Sequence, residues 1–179
     1  MVEPLQQLLS LFSGIDTLKR LPRSGWVLHG VKNSESVGDH SFGVAAMALY
    51  IGRRRGMDLA KLLTMAILHE VCEIKVGDLT PHDKVPPEKK RELETNAARE
   101  FLAGIDESGE LFELWLDFNE RRTPEGSLIN DLDRLEMFLQ ARAYEGQSEK
   151  PLDEFYGYVL ERLQDPELLA LARELAVMK

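Results

Sequence analysis

The stretch LLTMAILHEVCE, residues 62–73, is the most informative segment of this sequence. Its first seven residues are apolar except for one threonine, which indicates a helix that is hydrophobic on most faces and therefore central to the fold. His69 and Glu70 follow that helix directly, and Glu73 comes one turn later. Because an ionised carboxylate left unpaired in a core is costly, we expect a cation beside this segment, either a basic side chain or a metal.

Two structures fit the end of this segment. If the helix continues past His69, then His69 and Glu73 share one face and line the same side of a pocket. The alternative is the end of a surface helix whose acids are solvated.

The rest of the chain shows apolar side chains at intervals of three and four residues, and no sustained alternation of the kind that is typical of strands. We therefore predict an all-α protein. The segment 4–19 is expected to pack through one apolar stripe (Leu5, Leu8, Leu9, Phe12 and Ile15). Proline and glycine indicate loops at residues 20–33 and 77–87. Further helices are predicted from a cap at Ser36 or a neighbouring residue to residue 54, from a cap at Asp58 to His69, and at residues 86–103, 108–122, 125–144, 152–164 and 166–177.

Length and composition limit the class of protein. With 179 residues, 44% of them hydrophobic, we expect a single domain spanning residues 1–179. The excess of 31 acidic over 22 basic residues, a net charge of −9, disfavours binding to a nucleic-acid polymer. The single cysteine, Cys72, and the lack of an opening signal peptide predict a reducing cytoplasm. Since no apolar run approaches about 20 residues, we expect no membrane partner.

His40 and an acidic pair are further candidates for functional residues, but the sequence pattern does not establish a function for them. His40 lies near the start of an otherwise apolar helix, where a lone histidine is often only a polar residue near a helix N-terminus. Asp131 and Asp133 lie inside the apolar run 128–139. A helical wheel puts Asp133 at the edge of the apolar stripe and Asp131 close to Phe138, so periodicity indicates a functional acid here but does not select one.

Four motifs in order carry a resemblance to a known family. They are ESVGDHS at 35–41, LHEVCE at 68–73, GDLTP at 77–81 and DLDRLEM at 131–137. Together they resemble the HD-domain superfamily of metal-dependent phosphohydrolases, and more narrowly its YfbR-like 5′-deoxynucleotidase subgroup. The resemblance covers about residues 18–140 and implies a single HD-type helical bundle, which the helices at about 152–177 complete.

The resemblance implies that His40, His69, Glu70 and Asp133 hold one divalent cation. Two imidazoles and two carboxylates suit Mn²⁺, Co²⁺, Fe²⁺, Ni²⁺ or Zn²⁺ and do not choose among them. The family motif has aspartate where this chain has Glu70, so the longer side chain requires an adjustment of the metal distance or of the helix geometry.

The resemblance also implies roles outside the metal ligands. Glu73 and Asp78 resemble catalytic carboxylates, and Asp78 also lies where relatives contact substrate. Arg23 resembles a phosphate-orienting arginine and Trp26 a sugar-contacting tryptophan. For Asp78 the alternative is an ordinary turn aspartate, and for Trp26 it is simple core packing.

The expected function is removal of the 5′-phosphate from (deoxy)nucleoside monophosphates by a metal-activated water, in a protein that relatives suggest is a homodimer. One alternative is an HD phosphohydrolase or phosphodiesterase with another small phosphorylated substrate, because a fold does not fix a substrate. The other is a non-catalytic module that binds a metal or a nucleotide.

Overall fold

The computed structural model describes the backbone of residues 2–178 and the side chains of residues 4–178, so the first and last residues of the predicted domain lie outside the described part. The described chain is helical and its sole strand-like contact is an isolated bridge between Pro22 and Ser36, which confirms the all-α prediction. The helices are α1 (Val2–Arg20), α2 (Ser24–Leu28), α3 (Val37–Arg55), α4 (Leu59–Leu68), α5 (Glu73–Val76), a 3₁₀ turn (Pro81–Asp83), α6 (Pro87–Ala103), α7 (Glu110–Glu120), α8 (Pro124–Ala143), α9 (Asp153–Arg162) and α10 (Pro166–Val177).

Helix α4 is central, as its composition predicts. Leu62, Met65 and Ala66 have no exposed surface, and α4 packs against α3, α7 and α8. Each fully buried leucine or methionine side chain contributes about 1.5–3 kcal/mol relative to an exposed one. This packing brings the end of α4, the first turn of α3 and the middle of α8 to one place.

Polar caps fix where the central helices begin. The Ser36 hydroxyl accepts a hydrogen bond from the Asp39 amide at 3.1 Å, and the Asp39 carboxylate accepts one from the Ser36 amide at 2.9 Å. Asp58 caps α4 by accepting from the Lys61 amide at 3.0 Å. Both predicted caps are confirmed, and the first places His40 one turn into α3.

Helix α1 differs from the expectation. The first four side chains of its apolar stripe, Leu5, Leu8, Leu9 and Phe12, are 57–61% exposed, so the prediction that this stripe packs was wrong for them. The face that does pack carries Leu18, which is buried, and Gly14, which faces Phe101 and Ile74. Periodicity located the apolar side chains but not the elements that cover them.

Short elements interrupt the two predicted loops. The loop at 20–33 contains α2, whose five residues are too few to show a helical period. The loop at 77–87 contains the 3₁₀ turn that begins at Pro81. Among the described residues no helix combines the length and hydropathy needed to cross a bilayer.

Candidate metal centre and active site

Two buried imidazoles meet where α3 and α4 pack together. His40 lies in the first turn of α3 and has no exposed surface, and His69, just after α4, is 2% exposed. Their Nε2 atoms lie 3.3 Å apart. The sequence placed these residues 29 positions apart, and the pairing of the two helices brings them together.

The His69 ring is held in one tautomer. Its Nδ1 lies 2.8 Å from the Ala66 carbonyl oxygen, which can only accept, so Nδ1 carries the hydrogen and the Nε2 lone pair faces His40. The Trp115 indole donates to the His69 carbonyl at 3.1 Å and fixes the backbone. Burial lowers the pKa of His69, although the charge of Glu70 opposes the shift. The neutral imidazole is the form that binds metals.

The His40 ring is held between two carboxylates. Its Nδ1 lies 2.6 Å from Oε2 of Glu136, and its Nε2 lies 3.1 Å from Oδ1 of Asp133. Burial and the charge of Arg23 act to lower the pKa of His40, but the hydrogen bonds with Asp133 and Glu136 outweigh them and raise it to about 9. The surroundings of this ring therefore favour a positive charge.

Glu70 and Asp133 complete the cluster. Oε1 of Glu70 lies 3.7 Å from Nε2 of His40 and 3.6 Å from Nε2 of His69. Burial opposes ionisation of Asp133, but its hydrogen bond with His40 outweighs burial and holds the pKa of that carboxyl far below its usual range. One ligand atom from each of the four side chains lies within 4.8 Å of every other.

The four side chains fit a divalent cation. They offer two imidazole nitrogens and two carboxylate oxygens, a donor set that suits a borderline first-row metal. Glu70 reaches the cluster although glutamate is one methylene longer than the aspartate of the family motif, so the departure does not remove a donor. The structure thus brings together all four predicted ligands, and their role as ligands stays a prediction.

Asp131, the other member of the acidic pair, lies elsewhere. Its Oδ1 accepts from the Arg121 guanidinium at 2.6 Å. Its Oδ2 accepts from the amides of Gln164 and Asp165, at 3.1 and 2.6 Å. Asp131 therefore joins α8 to the connection between α9 and α10, while Asp133, two residues on, faces the metal cluster.

Glu73 is a buried carboxyl at the start of α5. Helix α4 ends at Leu68 and Glu73 begins α5, so the continuous helix that would align His69 with Glu73 does not form. Glu73 is 7% exposed, and among the described atoms its Oε2 has no hydrogen-bond partner. Burial and the charges of Glu70 and Asp78 raise the pKa of Glu73 to about 11. This carboxyl keeps a proton or requires a nearby cation.

Arg23 and Asp78 border the cluster. Nη1 of Arg23 lies 3.1 Å from Oε1 of Glu70, and Oδ2 of Asp78 accepts from the Ser24 amide at 2.6 Å. Burial opposes the charge of Arg23, but the surrounding acids, Glu70 and Asp78 foremost, outweigh it and raise the pKa of Arg23 further above its usual range. Arg23 is a partly buried, permanently charged guanidinium beside a predicted metal ligand.

Trp26 is buried among aromatic side chains. It is 1% exposed, and its ring lies 4.3 Å from Phe155 and 5.5 Å from Tyr144 between centroids. Its indole N–H donates to Oε1 of Glu35 at 2.8 Å. This position matches the core-packing alternative, and the predicted sugar contact stays a prediction.

Sequence reasoning missed the carboxylate behind His40. Glu136 is 8% exposed and lies on the same face of α8 as Asp133, three residues earlier. The sequence feature that could have identified Glu136 was a single acidic residue within the apolar stretch 135–138. Gly43 leaves the space for it, since an added Cβ there would lie 2.9 Å from Oε1 of Glu136, and nothing in the sequence pointed to that contact.

The chain is similar to curated proteins along most of its length. It is 34% identical to the human 5′-deoxynucleotidase HDDC2, over 95% of this chain and 85% of that protein. It is 36% identical to the Dictyostelium discoideum 5′-deoxynucleotidase HDDC2, over 93% of this chain and 95% of that protein.

Solved structures and a family model also match most of this chain. A conserved hypothetical protein from Pyrococcus furiosus superposes with a TM-score of 0.78 at 35% identity, covering 93% of this chain and 95% of its own. A protein from Magnetospirillum magnetotacticum described as a predicted metal-dependent phosphohydrolase gives a TM-score of 0.74 at 26% identity, covering 97% of this chain and 92% of its own. The HD domain model matches residues 15–168. The chain therefore belongs to the HD domain family.

Proposed function

We propose that this protein is a metal-dependent phosphohydrolase that removes the 5′-phosphate from (deoxy)nucleoside monophosphates. The observation that carries the proposal is the convergence of His40, His69, Glu70 and Asp133, with the Arg23 guanidinium 3.1 Å from Glu70. A cation site beside a partly buried arginine suits a phosphate group. The substrate class is supported by the relatives named 5′-deoxynucleotidases, which match most of this chain.

The metal would be held by the two Nε2 atoms and by the carboxylates of Glu70 and Asp133. When bound, a divalent cation of this kind polarises a phosphoryl oxygen and lowers the pKa of a coordinated water. Metal identity among Mn²⁺, Co²⁺, Fe²⁺, Ni²⁺ and Zn²⁺ stays open, because the donor set suits all five.

Arg23 binds and orients the phosphate. A guanidinium has five N–H donors in a fixed plane, and the contact with Glu70 uses only the Nη1 edge. The remaining donors match the spacing of phosphate oxygens. Because Glu70 and Arg23 are paired, the phosphate is held next to the metal ligands.

Glu73 and Asp78 manage protons and water. Burial and the charges of Glu70 and Asp78 raise the pKa of Glu73, so its carboxyl can hold or release a proton next to the proposed cation. In this position Glu73 orients the attacking water or manages its proton. Asp78, held by the Ser24 amide at 2.6 Å, orients water or the substrate at the mouth of the site.

Phosphate release, together with chromatographic detection of AMP formed from cyclic AMP, tests the proposal on a substrate panel. The panel contains dAMP, AMP, the other deoxynucleoside monophosphates, cyclic AMP and p-nitrophenyl phosphate, each with added Mn²⁺ or Co²⁺. We expect rapid release from nucleoside 5′-monophosphates. Cleavage of the cyclic nucleotide alone would support the phosphodiesterase alternative, and nucleotide binding without any release would support the binding module.

The remaining expectations belong to the same proposal. We propose a single domain over residues 1–179, a cytoplasmic location, a homodimer and no nucleic-acid polymer partner. The net charge of −9 supports the last point. The exposed apolar stripe on α1 supports self-association, because a large apolar surface is usually covered by a partner. Sedimentation velocity measures whether the mass is twice that of one chain.

A further inference from the structure

Lys90 holds the loop that carries Asp78 from the side of α6. Its Nζ donates to the Leu79 carbonyl oxygen at 2.7 Å, and the same ammonium lies 3.5 Å from Oε1 of Glu94, one turn further along the helix. Within residues 87–93 at the start of α6, all of which the structure describes, Lys90 alone is not exposed. Its side chain therefore lies against the loop, while its neighbours on the helix face solvent.

The path of this loop depends on contacts outside α5. Gly77 ends α5 with φ 73° and ψ 173°, a conformation that glycine adopts readily and other residues rarely. Because glycine is also free to adopt other conformations, α5 alone does not fix the direction of the chain after it. The Ser24 amide, at the start of α2, donates to the Asp78 carboxylate at 2.6 Å. Lys90 holds the following residue through the Leu79 carbonyl.

The Lys90 contact is a strong backbone anchor. A hydrogen bond from a charged donor is about twice as strong as one between neutral groups. Glu94 keeps the ammonium in place, and the side chains of Lys90 and Glu94 are only 38% and 23% exposed. Lys89 provides the comparison, since its Nζ pairs at 3.0 Å with Glu92 and both of these side chains are more than half exposed. Of two adjacent lysines, one anchors the loop and the other forms a surface ion pair.

Asp78 has to be held within narrow limits if it orients water or the substrate. A displacement of about 1 Å can lower a rate about 100-fold. Loss of the Lys90 anchor can therefore slow the reaction without unfolding the protein and without removing a metal ligand.

We propose that Lys90 is a positioning residue, which holds the loop so that the Asp78 carboxylate stays at the mouth of the site. Its effect on rate rests on the proposed hydrolysis, whereas its effect on the loop can be measured without substrate. Lys90→Met removes the donors and the charge but keeps a long unbranched side chain. Lys90→Arg keeps a charged donor, and Lys89→Met is the matched control.

The first measurement is the amide NMR spectrum of the substrate-free full chain. The Ser24 amide donates to Asp78, so its proton shift reports where that carboxylate lies. In Lys90→Met we expect the Ser24 signal to move toward its position in Asp78→Ala. Lys90→Arg and Lys89→Met should leave the signal close to that of the wild type. A Ser24 signal that does not move in Lys90→Met, or that moves equally in Lys89→Met, would overturn the proposal.

The second measurement is a double-mutant cycle on hydrolysis of dAMP with added Mn²⁺. Lys90→Met should lower kcat/KM about tenfold in the wild-type background, and Lys90→Arg should restore most of the loss. In the Asp78→Ala background no carboxylate remains to be positioned, so Lys90→Met should lower kcat/KM by less than about twofold. An equal loss in both backgrounds would contradict the proposal, because Lys90 would then act without Asp78.

The two measurements separate this proposal from the proposed function. If the wild type releases no phosphate from dAMP, the proposed function fails, and the Ser24 signal alone decides whether Lys90 positions Asp78. If the wild type is active and the Ser24 signal is the same in Lys90→Met, only the role of Lys90 is wrong.

Discussion

Nδ1 of His40 lies 2.6 Å from Oε2 of Glu136, and both side chains are buried between α3 and α8. A carboxylate accepts hydrogen bonds, so this contact places the ring hydrogen on Nδ1 and leaves Nε2 directed at Asp133 and His69. Glu136 therefore positions His40 without entering the proposed ligand set. The geometry is that of a carboxylate that orients a metal-binding histidine from behind.

Replacing Glu136 should weaken metal binding. We expect Glu136→Ala to reduce affinity for Mn²⁺ or Co²⁺ about 10–100-fold, because the ring loses the acceptor that fixes its tautomer. Glu136→Gln keeps an acceptor oxygen and should lie closer to the wild type. Competition with a chromophoric chelator measures the affinities, and Glu120→Ala, on the surface of α7, is the control. Unchanged affinity in Glu136→Ala would show that the contact has no influence on the metal.

Removing the proposed proton-handling groups should separate metal content from rate. Glu73→Ala and Asp78→Ala are expected to retain the metal and to lose phosphate release from dAMP by about 100-fold or more. Both side chains act outside the four-residue cluster. Elemental analysis and a phosphate assay on the same preparation test this. Wild-type turnover in either variant would refute the role assigned to that residue.

The sequence predicts features that depend on local patterns better than it predicts contacts between distant segments. Ser36 and Asp58 could be recognised as helix caps because N-capping is local. The meeting of His40 with His69 follows from the packing of α3 on α4, which no local pattern contains, and only the order of the motifs suggested it. Periodicity left Asp131 and Asp133 undecided because both lie near the apolar face of α8. In the structure, Arg121 and two backbone amides hold Asp131.

Trp26 shows the same limit. A tryptophan in a loop fits both a pocket wall and a core, and its surroundings come from α8 and α9, far along the chain. Glu136 was missed because its function depends on a ring nitrogen that the sequence cannot place. The α1 stripe was correctly identified as apolar, but what covers it does not follow from its own residues.

Trp26→Ala tests both roles of this side chain. Loss of a fully buried tryptophan should reduce the free energy of unfolding by about 3–5 kcal/mol. It should also lower the ratio of the dAMP hydrolysis rate to the AMP hydrolysis rate, because the proposed contact of Trp26 crowds the 2′ position of the sugar. Both rates are measured below the melting temperature of the variant. Trp26→Phe keeps most of the packing and serves as the control. A destabilised variant with the wild-type ratio would assign Trp26 to packing alone.

Asp117 should make stability depend on pH. It lies 2.8 Å from Lys61 and accepts from Thr123 through both oxygens. Burial opposes ionisation, but these donors outweigh it and lower the pKa of Asp117 below its usual range. A depressed pKa gives stability that is present above the unfolded value of about 3.9 and is lost as the pH falls through the folded value.

Asp117→Asn should therefore cost about 2 kcal/mol at pH 7, and the difference from the wild type should shrink below about pH 4. Urea unfolding at pH 7, 5 and 3.5 provides the measurement. Glu107→Gln, at an exposed turn, is the control. A difference that is the same at all three pH values would contradict the proposed ionic contribution.

The central claim is that His40, His69, Glu70 and Asp133 hold the cation on which hydrolysis depends, and Glu70 is the most informative position. Glu70→Asp keeps the charge, whereas Glu70→Gln keeps the size and removes the charge. The decisive measurement is metal stoichiometry by elemental analysis, together with phosphate release from dAMP, after chelator treatment and return of Mn²⁺ or Co²⁺. We predict that the stripped wild type is inactive and recovers with metal, that Glu70→Asp also recovers, and that Glu70→Gln binds little metal and stays inactive. A full complement of metal and normal turnover in Glu70→Gln, or full activity in the stripped wild type, would contradict the account.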